Sequence, residues 1–381
     1  MDFLSILQLP VTTLVVYALP FLAALTVIIF IHELGHFLVA RWCGVTVEAF
    51  SIGFGKEIAG WVDRKGTRWK LCWIPLGGYV RFAGDANAAS MPTAETAEQP
   101  REPGNFHGKK IWQRAAVVVA GPLANFILAI AIFTAAFAVL GVPVAEPRVD
   151  EVLADSAAER AGIKPGDYIR VIDGAEIDGF SELQQAIITR PGEKMTIVIE
   201  RAGQLITIIV APDLREEPDG FGGKVRIGLL GVKHDDKGDS RVERLPVLKS
   251  AGKSVERTWF IVSTTFKYLG KLVTGRESAD QLGGPIAMAK AAGDAASVGL
   301  LQFVSVVAFL SISIGLINLF PIPMLDGGHL VYYALEALRG KPLGPSAQEW
   351  GFRIGFSLVI ALMVVGTWND VVRLIAMALG S

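Results

Sequence analysis

Three long stretches of this chain contain no Asp, Glu, Lys or Arg: Phe3 to His32, Ala115 to Ala145 and Ala295 to Leu325. Each exceeds the roughly 20 apolar residues that a helix needs to cross a bilayer, so each predicts a membrane helix. A fourth is expected from Ile354 to about Met377, although its charge-free part ends at Asn369, before Asp370 and Arg373. At ~1.5 Å per residue that part falls short of a ~30 Å hydrocarbon layer. Arg353 is therefore expected to snorkel and Asp370 to lie near the far interface. The first run is longer than a signal-peptide core and no basic residue precedes it, which reads as a retained helix.

Of 381 residues, 51% are hydrophobic and only 19% charged, with 36 basic residues against 37 acidic ones. This excludes a disordered polymer and leaves no dominant basic surface, so no nucleic-acid partner is expected. The basic residues are nevertheless sided. Arg41, Lys109, Lys110 and Arg114 flank the loop between the first two helices, and Arg339, Lys341 and Arg353 lie between the third and fourth. Only Arg148 and Lys290 stand comparably close to the ends of the long middle segment. The positive-inside bias then puts the two basic loops in the cytosol, with both termini and residues 146–294 outside. Cys43 and Cys72 fall on the cytosolic side, where reduced thiols are expected.

The middle segment turns abruptly soluble. Short alternating strands, the turns Gly166-Asp167 and Asp173-Gly174, and one helix-like stretch from Phe180 to Thr189 predict a small, partly open β domain over 146–215. Within 216–294, residues 245–274 carry apolar positions at helical spacing, interleaved with Lys249, Lys253, Arg257, Lys267 and Lys271. That pattern suits a helix on the membrane surface as well as one packed on the β domain.

The chemistry begins at the end of the first helix, in His32-Glu33-Leu34-Gly35-His36. Two histidines four apart leave one helix face together and can reach one Zn²⁺, while the glutamate between them lies beside a water it can deprotonate. Glu33 is an ionisable residue among apolar neighbours, and such residues within a membrane segment mark function. A catalytic zinc usually takes three protein ligands. Asp326, in Asn318-Leu-Phe-Pro-Ile-Pro-Met-Leu-Asp-Gly-Gly-His329, ends the third charge-free run on a helix running in the same direction as the first. It is favoured as third ligand over His329, which lies less deep. Pro321 and Pro323 interrupt helix hydrogen bonding, and Gly327-Gly328 permits a sharp turn. Irregular backbone at membrane depth is tolerated only inside protein or along a water-filled cavity, which a hydrolase needs.

Taken with Gly121-Pro122-Leu123-Ala124-Asn125 in the second helix, these motifs resemble the site-2 protease family of intramembrane zinc metalloproteases. The soluble insertion is similar to that of the bacterial RseP-like branch. Ala161-Gly-Ile-Lys-Pro-Gly-Asp167, followed by Ile169 and Asp173-Gly174, resembles the PDZ domains of bacterial envelope proteases, which take up extended peptides at a sheet edge. The family resemblance implies His32, His36 and Asp326 as zinc ligands, Glu33 as general base and acid, and Asn318 as a holder of the substrate backbone. Phe50 to Gly55 with Ile74 to Arg81 resembles the membrane-reentrant β-hairpin of that branch. This implies substrate contacts at Phe54, Gly55, Gly77, Gly78 and Tyr79. Lys56 stands where relatives often have proline, and one PDZ-like domain stands where the best-known members have two.

The expected architecture is a polytopic α-helical membrane protein with four transmembrane helices, a membrane-associated β-hairpin and an inserted extracytoplasmic PDZ-like α/β domain. Its segments are helix one with the two histidines over 1–41, the hairpin loop over 42–114, helix two over 115–145, the PDZ-like domain over 146–215 and a linker with the amphipathic helix over 216–294. Helix three with the Asp-Gly motif covers 295–335, and a short loop with helix four covers 336–381. The expected enzyme cleaves single-pass transmembrane proteins, anti-sigma-factor-like substrates or remnant signal peptides, after a site-1 protease has cut outside. It would sit in a bacterial inner membrane, with both termini and the PDZ-like domain periplasmic and the site near the cytosolic face. A membrane-anchored PDZ scaffold with a non-catalytic metal site is the competing reading. A proton or ion transporter would explain Glu33 and Asp326 but not the histidine spacing.

Overall fold

In a bilayer a backbone N–H or C=O without an internal partner is costly, so the apolar runs fold as helices. A computed structural model describes residues 14–84, 104–177, 179–218, 224–234, 241–275 and 283–379; the start of the first apolar run, residues 3–13, lies outside them. Among the described residues, four helices are long and apolar enough to cross a membrane: Val15–Trp42, Ile111–Leu140, Leu300–Asn318 and Ser346–Ala376. The chain divides into two compact units.

The first unit takes the described residues within 1–133, 253–270 and 282–372. A π-helical turn, Leu14–Ala18, leads into α1, Leu19–Trp42. The strands β1, Val47–Val62, and β2, Arg68–Phe82, then double back on each other. The first half of β1 pairs antiparallel with the end of β2, Phe50 opposite Val80 and Ile52 opposite Gly78. It also lies beside the start of β2, Phe50 opposite Trp69, while the second half of β1 pairs with that same start, Trp61 opposite Trp69. The hairpin is thus a small sheet with Gly78 to Phe82 at one edge and Ala59 to Val62 at the other. Its inner face is aromatic: Phe50 is fully buried, with Phe30 and Phe37 edge-on to it and Trp69 at 4.4 Å. Trp61 and Trp73 face outward and are exposed. Cys43 and Cys72 are free.

The helix α2, Ile111–Leu140, carries Pro122 in its interior. It crosses α1 so closely that a side chain on Gly35 would meet the Ala120 carbonyl oxygen at 2.2 Å.

The third apolar run is not one helix. Within it and beside it lie three: α6, Pro285–Val298; α7, Leu300–Asn318; and α8, Asp326–Arg339. Gly299, with φ at +150°, breaks α6 from α7, and the proline loop Leu319–Leu325 breaks α7 from α8. Asp326 therefore opens a helix instead of ending one. Gly327 and Gly328 do not supply the turn expected of them. Neither has a positive φ; a side chain on Gly327 would strike the Phe320 carbonyl oxygen at 2.2 Å, and one on Gly328 that of Ile322 at 2.4 Å. They let the start of α8 press against the loop's carbonyls.

The last helix, α9, runs from Pro345 to Leu379 and easily exceeds a ~30 Å core. Asp370 is buried on it, against the start of α6. Its carboxylate accepts the N–H groups of Gly284, Ile286 and Ala287, each at 3.0 Å, and so caps α6. Arg353, exposed, pairs with Glu349. Gly351 and Gly355 of α9 admit Tyr332 and the Pro323 carbonyl into close contact, a small-residue notch of the kind that seats membrane helices.

The second unit takes the described residues within 134–252, 271–281 and 373–381. The strands β3, Val142–Val144, and β4, Glu151–Val152, and the short helix α3, Ala157–Arg160, lead to the central sheet of β5, Tyr168–Ile172, β6, Ala175–Glu176, β7, Met195–Arg201, and β8, Gln204–Val210. The sheet order is β6-β5-β7-β8, with α4, Phe180–Ile188, between β6 and β7 in sequence. Ile169, Leu183, Met195, Ile197 and Ile199 fill the core. Asp167, fully buried, is held bidentately by Arg201, with both oxygens at 2.7 Å.

The β unit extends past residue 215. Strands β9, Asp213–Pro218, and β10, Lys224–Leu229, form a hairpin; β11, Val232–Lys233, pairs with β4; and β12, Arg241–Glu243, pairs with β3. The amphipathic helix α5, Val247–Val273, has its middle stretch, 253–270, in the first unit; there it buries Ser254, Thr258 and Ile261 and leaves Val255, Trp259 and Phe266 exposed.

Candidate metal centre

The histidines lie one helical turn apart on α1, and both are buried. His32 Nε2 and His36 Nε2 stand 3.2 Å apart, and Asp326 Oδ2, from the first residue of α8, stands 3.1 Å from the former and 3.5 Å from the latter. Tetrahedral zinc with bonds of about 2.0–2.2 Å separates its ligand atoms by about 3.3–3.5 Å. The three edges therefore have the size of one face of a zinc tetrahedron. Two further observations fit a metal. Asp326 Oδ2 is buried without a hydrogen-bond donor. A side chain on Gly121 would lie 2.2 Å from His36 Nε2 and 2.9 Å from His32 Nε2, so glycine keeps the space beside both nitrogens open. Among the described residues, these three form the one cluster of His, Cys, Asp or Glu with ligand atoms converging on a point. His329 lines the same cavity but is not part of that cluster.

The cavity has a volume of about 220 Å³ and brings together the two histidines, Glu33, Asn318 and Asp326. Gly78, Tyr79 and Val80 of the hairpin edge line its other side. The Val80 N–H bonds to Glu33, and a side chain on Gly78 would touch the Glu33 Cγ at 3.1 Å. Phe54, Gly55 and Gly77 lie outside this lining. Phe54 stacks on Tyr79 with ring centroids 6.2 Å apart and covers Gly77, whose φ of +142° only glycine adopts readily. Met324, in the proline loop, lines the cavity with φ at +99°, a strained conformation for a side-chain-bearing residue.

Residues 20–362 match peptidase family M50. The chain belongs to that family. The M50 chain is 48% identical over 360 residues to a Rhizobium meliloti protein provisionally named a zinc metalloprotease, covering 93% of this chain and 96% of that one. An Agrobacterium fabrum protein with the same provisional name is 46% identical over 365 residues, with 94% and 96% covered. The Caulobacter vibrioides metalloprotease MmpA is 40% identical over 378 residues, with 92% and 94% covered.

Several residues of this M50 peptidase support the site in ways the sequence did not assign to them. His36 Nδ1 donates to the Val117 carbonyl at 2.8 Å, and His32 Nδ1 stands 3.2 Å from Asn125 Nδ2. Arg114 pairs with Glu336 of α8 at 2.6 Å and lies over the Tyr333 ring. Arg114, Val117, Gly121 and Asn125 recur at spacings of three and four on α2, which places them on one face. That polar and small-residue stripe in an otherwise greasy helix was the available signal.

Proposed function

We propose that this M50 peptidase is a zinc metalloprotease that hydrolyses peptide bonds within the transmembrane segments of other proteins. The carrying observation is the tetrahedral face formed by His32, His36 and Asp326, with Glu33 in the same cavity and the hairpin edge opposite. His32 Nε2, His36 Nε2 and Asp326 Oδ2 would hold zinc, which when bound supplies Lewis-acid polarisation of the scissile carbonyl and acidifies the attacking water.

The remaining steps belong to the chain's own residues. Glu33 takes the proton of the attacking water and returns it to the leaving amine. The Asn318 amide, at the end of α7, holds the substrate backbone. A helical substrate shields its amides in its own hydrogen bonds, so it must unwind before attack. The edge Gly78 to Val80 offers strand pairing to the unwound stretch, with Tyr79 and the Phe54 ring over Gly77 continuing the contact surface through Gly55. The cavity is polar where the peptide bond reacts and lies among apolar helices that exclude bulk water.

The substrate class we propose is single-pass membrane proteins shortened outside the membrane by an earlier protease: anti-sigma-factor-like proteins or remnant signal peptides. The second unit, a small sheet with one helix laid on it, supports a PDZ-like reading of an RseP-like enzyme with a single such domain. It would turn away substrates whose outer domains remain, or bind the new chain end. The basic loops support an inner-membrane orientation with the site near the cytosolic face and that unit outside. Substrate trapping tests this: Glu33→Gln in the native membrane should accumulate shortened single-pass proteins. Accumulation of none, or of full-length proteins only, contradicts the proposed substrate class.

A further inference from the structure

A histidine binds zinc through one nitrogen, and the bond made by the other fixes which nitrogen carries the hydrogen. For His36 that bond is to the Val117 carbonyl, which can only accept. Nδ1 therefore keeps its hydrogen, and Nε2 turns a lone pair toward Asp326 and His32. His32 must be arranged likewise, because its Nε2 is the atom 3.1 Å from Asp326 Oδ2 and 3.2 Å from His36 Nε2. Its Nδ1 then needs an acceptor.

The neighbour of that Nδ1 is the side-chain amide of Asn125, one further turn along the α2 face that bears Val117 and Gly121. Asn125 is fully buried, so water does not serve the imidazole there. The amide presents Nδ2 at 3.2 Å, and an NH₂ group cannot accept from an N–H. Its oxygen, Oδ1, is buried with no hydrogen-bond partner. Turning the amide over exchanges two nearly isosteric atoms, places Oδ1 against Nδ1–H, and breaks no bond made by the oxygen. The backbone beneath is held, since the Ser311 hydroxyl donates to the Asn125 carbonyl at 2.9 Å and α7 packs so close that a side chain on Gly315 would lie 3.1 Å from the Asn125 Cβ.

We infer that Asn125 is a positioning residue for the metal centre: its Oδ1 accepts from His32 Nδ1–H and holds His32 in the tautomer and orientation that present Nε2 to zinc. The inference rests on the zinc-protease reading above. It makes α2 the helix that orients both histidines, one through a backbone carbonyl and one through a side chain. Nothing in the reaction requires Asn125 to touch substrate.

The test measures zinc affinity of the full chain in detergent by chelator competition, beside the melting midpoint of each zinc-free protein, for wild type, Asn125→Asp and Asn125→Leu. Asn125→Asp keeps an acceptor in either orientation and should bind zinc at least as tightly as wild type. Asn125→Leu keeps the volume without an acceptor and should bind about 10- to 100-fold more weakly, with the zinc-free melting midpoint unchanged. Wild-type affinity in Asn125→Leu overturns the inference, as does equal loss in both variants or a loss that follows the zinc-free midpoint. If Asn125→Leu does not fold, the acid release of zinc decides. A carboxylate on Nδ1–H strengthens His32 as a ligand, so Asn125→Asp should hold zinc to lower pH than wild type, and an unchanged release pH overturns the inference. A wild-type protein that binds no zinc would instead overturn the zinc-protease reading itself, and the inference with it.

Discussion

Arg114 and Glu336, 222 positions apart in sequence, meet at 2.6 Å, with both side chains largely buried. The pair ties the first turn of α2, which orients the histidines, to α8, which opens with Asp326. Arg114 also donates to the Lys109 carbonyl and lies over the Tyr333 ring, 4.9 Å from its centre, so its fork is used on several sides. Removing one partner strands a buried charge. Arg114→Met should destabilise the protein by about 3–5 kcal/mol, whereas Arg114→Met with Glu336→Leu should recover most of the loss. Melting of the four proteins of this cycle checks it; equal loss in the single and double variants would show that the ion pair itself is not the contact that matters.

Asp370 replaces the missing partners of an entire helix start. Three N–H groups at the beginning of α6 have no intrahelical acceptor, and its carboxylate takes all three. Asp370→Leu should cost about 2–4 kcal/mol, with Asp370→Asn intermediate because the amide oxygen still accepts. Thermal melting in detergent distinguishes them, and a Leu variant as stable as wild type would contradict the capping role.

The hairpin is tied to the end of α1 through Asp63. Its carboxylate is partly buried, which by itself would raise its pKa. Trp69 Nε1, the N–H groups of Lys65 and Thr67, and Arg41 all donate to it and together hold it at about 2, below the usual 3.8. A pKa lower in the folded than in the unfolded chain stabilises fully above about 4, and the contribution fades as pH falls toward 2. Asp63→Asn should lower stability at pH 7 by on the order of 1 kcal/mol, and the difference from wild type should narrow below pH 4. A difference that stays constant from pH 7 to pH 3 would exclude this linkage.

The parts of the fold legible in the sequence were those written in composition. Charge-free runs announce membrane helices because lipid tolerates little else, and His32-Glu33-Leu34-Gly35-His36 announces a metal site because four-residue spacing is helix geometry. Asp326 stood out as a lone carboxylate after a greasy run. Pro321 and Pro323 marked the break between α7 and α8, whereas the break at Gly299 was hidden because the last residues of α6 and the first of α7 are small or apolar and carry no charge. The capping role of Asp370 was not legible, because a sequence shows the cost of burying a charge but not the three N–H groups that meet it. Arg114 read as a flanking basic residue, since its partner lies across the whole chain. Asn125 stood within a recognised motif, yet its contact with His32 exists only after two helices cross at Gly35. The polar strands from Asp213 to Lys233 carry too little alternation to announce themselves, and their pairing is what draws them into the β unit.

On the proposed mechanism, one zinc held by His32, His36 and Asp326 works with Glu33 to cut a transmembrane peptide bond. The most direct measurement is zinc content and cleavage of a single-pass transmembrane substrate, made side by side on purified wild type and Glu33→Gln. About one zinc per chain is expected in both proteins, with cleavage lowered by about 10²- to 10⁴-fold or more in the variant. Wild type without zinc, or Glu33→Gln cleaving at the wild-type rate, would contradict that mechanism.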